Sequence, residues 1–93
     1  MNQDQSLDTI RQAIADGQIS RALSLVEEHG QRFGPSASLY CLEGKAHLRL
    51  SDWRKAQNAF LRAEELEPQG AATQYLAMLR DIMNFFNKDM YNQ

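Results

Sequence analysis

Three side chains in this 93-residue chain are candidates for nucleophilic or metal chemistry: His29 and His47, its two histidines, and Cys41, its one thiol. Cys41 and His47 are six residues apart, which on a helix turns them about 120° from one another. A Cys–His nucleophile pair is therefore not expected. Neither HxxxH nor CxxC spacing occurs, so no zinc site is expected either. The simpler reading makes Cys41 a small buried packing residue and His47 an aromatic substitute facing its partner helix. Glu64, Glu65 and Glu67 could pair for acid–base work. They end an exposed helix with no apolar cleft implied beside them, and read as solvated. The five glycines form no phosphate loop and occupy turn or packing positions. Trp53 is a candidate contact hot spot, but its place at the start of a helix favours a structural role. Nothing in this set argues for an enzyme, a cofactor or a metal.

The bulk numbers agree with a small soluble domain. The chain is 43% apolar and 24% charged, with a net charge of −2, ordinary values for a globular protein. Acidic and basic residues are interspersed, whereas a nucleic-acid binder concentrates basic residues on one face. No charged start with an apolar core marks a signal peptide, and no stretch approaches the roughly 20 apolar residues that cross a bilayer. A single cysteine cannot form an internal disulfide and suits a reducing compartment. The expectation is a cytoplasmic protein without nucleic-acid or membrane partners.

Those candidate residues are positioned by helices. Apolar periodicity is helical throughout, and no segment alternates as a strand does. Pro35 and Pro68, the two prolines, sit between helices. Five helices are expected. The first covers residues 7–16 with Ser6 as its cap, and the second runs from 19 to about 29 after a tight turn at Gly17. The third covers residues 37–50, starting near Ser36 or Ser38, and the fourth covers 53–67. The last runs from 71 to about 90.

A 34-residue shift lays Ile19-Ser20-Arg21-Ala22 over Trp53-Arg54-Lys55-Ala56. It also lays Leu7 over Cys41, Ile14 over Leu48, Val26 over Phe60 and Gly34 over Pro68. Within residues 37–70, Gly44, Ala56, Phe60, Ala63 and Pro68 keep a spacing that resembles a tetratricopeptide repeat. Residues 3–36 form a second, degraded copy, with Ile10 where Gly44 sits and His29 where Ala63 sits. Residues 71–93 would be the extra helix with which such arrays end. The departures are Glu43 and His47, at positions where the family has a large apolar residue and an aromatic. They read as tolerated variation. The resemblance implies an all-α fold: two helical hairpins and a C-terminal helix in one right-handed superhelical stack.

It also implies a concave surface lined by the first helix of each hairpin. Here that set is Asp4, Leu7, Arg11, Ile14 and Ala15, then Ser38, Cys41, Lys45, Leu48 and Arg49. The last helix adds Tyr75, Leu79 and Ile82. Arg11, Lys45 and Arg49 would form a cationic stripe beside apolar ground such as Leu48. That combination suits a peptide carrying an acidic group or a free C-terminal carboxylate, and is otherwise a solvated charged face. The carboxylate clamp of chaperone-tail binders is only loosely similar, because no asparagine stands on either first helix.

The last helix is apolar over about half its circumference: Tyr75, Leu76, Met78, Leu79, Ile82, Met83, Phe85, Phe86 and Met90. A helix that only covers a neighbour needs a stripe of roughly 100°. Tyr75, Met78, Ile82 and Phe85 are expected on the uncovered edge. Leu76, Met83 and Met90 are assigned to the intramolecular seam. The surplus suits a partner helix, a second copy of the chain in a two-fold dimer, or closure of the groove itself. The sequence thus points to a protein–protein interaction module or adaptor that binds a peptide or partner helix. A chaperone-like or secretion-related adaptor shielding an apolar client helix is the alternative, and a small enzyme has no supporting motif.

Overall fold

Asn2, not Ser6, starts the first helix. In the computed structural model, which describes the backbone of residues 1–91 and the side chains of residues 1–85, α1 spans Gln3–Ala15. The Asn2 side chain accepts from the Gln5 amide at 2.8 Å, and the Gln5 side chain accepts from the Asn2 amide at 3.0 Å. This reciprocal box satisfies two amides that helical bonding leaves open. Ser6 lies inside the helix, where its hydroxyl meets His29 Nδ1 at 2.8 Å. Gly17, at φ +79°, turns the chain into α2 (Ile19–Phe33). That helix continues past residue 29 and through Gly30. The Phe33 ring packs 4.8 Å from the His29 imidazole, which gives the added turn a side-chain contact to hold it.

Ser36 caps α3 (Ala37–Arg49) by accepting from the Leu39 amide at 3.1 Å. Ser51, at φ +58°, reverses the chain, and the Asp52 carboxylate caps α4 (Trp53–Leu66) at the Lys55 amide. Glu64 then organises the next turn. Its carboxylate accepts from the Gln69 amide at 3.3 Å and from the Thr73 hydroxyl at 2.6 Å, so it is bound rather than merely solvated. The fifth helix, α5, spans Ala71–Tyr91. Phe86 and Met90, counted above in its apolar half, lie outside the described side chains. The described residues form five helices and no strand.

Each helix packs on the next, the α3–α4 pair most extensively, and α1 also reaches α3. The interior divides into two clusters. Leu7, Ile10, Ala13 and Ile14 of α1, Ile19, Ala22 and Val26 of α2, and Leu39, Leu42 and Ala46 of α3 form one. Ala56, Phe60 and Ala63 of α4 join Ala72 and Leu79 of α5 in the other, flanked by half-buried Tyr40, Cys41, Leu48, Trp53, Tyr75 and Leu76. Helix α3 thus contributes one face to each cluster.

Small residues set the helix separations. Ala56 and Phe60 are fully buried and Ala63 nearly so. Gly44 is buried against the Phe60 ring so closely that a Cβ there would lie 2.6–2.8 Å from three ring carbons. The positions 34 residues earlier, Ile10, Ala22, Val26 and His29, are also buried. One hairpin fills its seam with a glycine and a phenylalanine, the other with an isoleucine and a valine. The volume is distributed differently between facing helices, and the seam positions are buried in both.

Candidate functional site

The residues that could recognise a ligand meet where α1, α3, the end of α4 and the start of α5 converge. Ser38, Cys41 and Lys45 recur at three- and four-residue intervals along α3 and so share one face. They line a cavity of about 250 Å³ together with Arg11 of α1, Ala63 and Glu67, and the opening turn of α5 at Gly70, Ala71 and Ala72. Leu42 and Ala37 complete its wall. Amides of a first helical turn carry partial positive charge, and the carboxylates beside that turn of α5 are Glu64, bound to the Thr73 hydroxyl, and Glu67 on the cavity wall.

Lys45 is held in place by a ladder of side chains. Its ammonium lies 5.3 Å from the centroid of the Tyr75 ring. Tyr75 stacks on Phe60 with centroids 4.8 Å apart and an interplanar angle of 1°, and Phe60 rests on the bare backbone of Gly44. The cation–π contact therefore ties the site's central charge to the hairpin seam. Arg11 is steadied by Asp8, at 2.6 Å. The ion pairs among the described residues are Arg11–Asp8 and Lys55–Asp52, and Lys45 belongs to neither. Glu67 is the cavity's one carboxylate.

Cys41 is half-buried rather than buried. Burial pushes its thiol pKa up; Lys45 opposes the shift and Glu67 adds to it. The thiol is accordingly protonated at neutral pH and serves the cavity as a small polarizable wall. His29, on α2, is 1% exposed, and burial lowers its pKa. His47 is half-buried. Among the described residues no group of histidine, cysteine and carboxylate side chains is placed to hold a metal, and no helix is long and apolar enough to cross a membrane.

The expected cationic stripe is divided. Arg11 and Lys45 face one cavity, but the Arg49 guanidinium donates to the Ile14 carbonyl at 3.0 Å, closing the C-terminal end of α1. Leu7, Ile14 and Leu79, expected as groove floor, are buried core, and Leu48 is half-buried beside the second cluster. Asp4 and Ala15 are exposed. Tyr75, expected on the uncovered edge of α5, lies instead in the intramolecular seam with Leu76. Met78 is 39% exposed and Phe85 73%, while Ile82 and Met83 are half-buried. Glu67 and the α5 opening turn were not foreseen as cavity walls, because both depend on how α5 docks. A second groove, between α2, α3 and α4, was also not foreseen. Its signal was Glu43, a carboxylate standing where an apolar residue was expected.

No family model and no curated protein matches the chain. Among solved structures, the solution NMR structure of Bacteroides fragilis protein BF1650 is 43% identical and superposes with a TM-score of 0.81. The match covers 94% of this chain and 89% of that one. With so high an identity over nearly the whole of both proteins, the chain belongs to the same family as Bacteroides fragilis protein BF1650.

Proposed function

We propose that the chain is a protein–protein interaction module: two tetratricopeptide-like hairpins, residues 3–36 and 37–70, followed by α5. Its cavity takes an acidic side chain or the C-terminal carboxylate of a partner peptide. The architecture is supported by the shared burial of positions 34 residues apart and by the Gly44–Phe60 approach. The peptide reading rests on one observation: Lys45 stands over Tyr75 in a concave site, beside Arg11 and the opening turn of α5, and is not one of the ion-paired cations among the described residues. A carboxylate entering there gains a charge-assisted hydrogen bond. Calorimetric titration with a short acidic peptide, free and amidated at its C-terminus, tests this reading. Lys45→Glu should weaken binding roughly tenfold or more and flatten its salt dependence. Equal affinity in parent and variant removes the cavity from the account.

A second reading is supported by α5. Met78, Ile82 and Phe85 recur at four- and three-residue intervals on one face, two of them well exposed. That face suits a partner helix or a second copy of the chain, as in an adaptor that shields an apolar client helix.

A further inference from the structure

The groove between α2, α3 and α4 has the opposite chemistry to the cavity. It measures about 480 Å³, within the range of about 300–1,000 Å³ typical of ligand sites. Leu23, Val26, Pro35 and Leu39 make its floor aliphatic. Glu27 on α2 and Glu43 on α3 line it, and neither belongs to an ion pair among the described residues. Arg62 is the groove's cation. It is engaged at the α4 rim, where its guanidinium lies 5.8 Å from the Tyr40 ring centroid. Glu43 is half-buried and Glu27 exposed, so the groove offers two carboxylates against the one guanidinium of Arg62, and an arriving cation meets a net negative lining.

We infer that this groove docks a basic segment of a partner protein, in which a lysine or arginine is flanked by aliphatic side chains. The cation meets Glu27 and Glu43, and the aliphatic groups pack on half-buried Leu23 and exposed Pro35. Arg62, held over the Tyr40 ring, limits the groove to a segment with few cations, because it repels a further one placed beside it. The groove and the cavity share no lining residue, so this inference stands independently of the peptide-carboxylate reading.

The test uses two short helical peptides, acetylated and amidated, with the same leucine pattern, one carrying lysines and the other glutamates. Titration into isotopically labelled protein, followed by NMR, should move the amides of Leu23, Gly30 and Glu43 saturably with the lysine peptide. Glu27→Lys, at an exposed position, leaves the fold intact and should weaken that binding roughly tenfold at low salt. Glu43→Gln should weaken it too, and Lys45→Glu should leave it unchanged. Equal binding of the glutamate peptide at the same amides, or unchanged affinity in Glu27→Lys, overturns the inference. Shifts of these amides on dilution without peptide also overturn it, since a second copy would then be the occupant.

Discussion

Replacing Gly44 by alanine would set two helical effects against each other, and the structure decides which wins. In a helix interior alanine is favoured over glycine by about 0.8–1.0 kcal/mol. Here the new Cβ would lie 2.6, 2.7 and 2.8 Å from Phe60 ring carbons, against a comfortable carbon–carbon separation of about 3.5–4.0 Å. The ring would have to retreat by about 1 Å. It cannot do so freely, because it is fully buried and stacked on Tyr75. Overpacking of this kind costs about 1–3 kcal/mol, and a pinned ring places Gly44→Ala in the upper half of that range. The net loss is then about 1–2 kcal/mol, a fall in Tm of roughly 5–15 °C for a domain of this size. Gly30→Ala is the matched control. It is also a helical glycine, but its Cβ would meet only Leu39 Cδ2 at 3.6 Å, so it should gain about 0.5–1 kcal/mol. Urea and thermal unfolding followed by circular dichroism read both changes. In a double-mutant cycle, Phe60→Leu should recover part of the loss in the Gly44→Ala background, with coupling of about 1 kcal/mol or more. If Gly44→Ala is as stable as the parent, or Phe60→Leu shows no coupling to it, the close approach of α3 and α4 at this point is wrong.

His29 is held neutral by burial, with a pKa below its ordinary 6.5. The unfolded chain therefore binds protons first as pH falls, and stability present above pH 6.5 should decline below it. The urea midpoint of the parent should drop from pH 7.5 to 5.5 more than that of His29→Leu; parallel declines would remove His29 from the pH response. Arg49→Met deletes the bond to the Ile14 carbonyl and should cost about 1 kcal/mol, with faster amide exchange near Gly17. Unchanged exchange there would refute the cap. The α5 face should drive association at micromolar concentration, which sedimentation would show as a dimer abolished by Ile82→Asp. A folded monomer in both proteins would show that the helix is satisfied within one chain.

The number and order of the helices were legible because apolar periodicity and the placement of Pro35 and Pro68 are local signals. Helix ends were less so. Asn2 outcompetes Ser6 as a cap because Gln5 can return the hydrogen bond, while Ser6 is drawn to a histidine 23 residues away. Burial of Ala56, Phe60 and Ala63 followed from their spacing alone. The cavity was half legible. Arg11 and Lys45 share it, but the diversion of Arg49 to a helix end is a tertiary contact without a pattern in sequence. The wheel of α5 gave the width of its apolar arc but not the direction of docking, and so it misplaced Tyr75.

The division of the interior into two clusters makes the cavity conditional. Its walls at Gly70, Ala71 and Ala72 exist only while α5 is docked, and α5 is held chiefly by Ala72, Tyr75, Leu76 and Leu79 against α4. Releasing them leaves the α1–α2–α3 cluster untouched, so the chain can open at one end without unfolding at the other. An anion held by Lys45 would bind only the closed form. It would raise the protection of α5 and α4 amides against hydrogen exchange, by an amount that grows with ligand concentration. Amides of α1 and α2 would keep their own rates until the whole domain unfolds. Occupancy would thus be recorded as a gradient of rigidity along the stack.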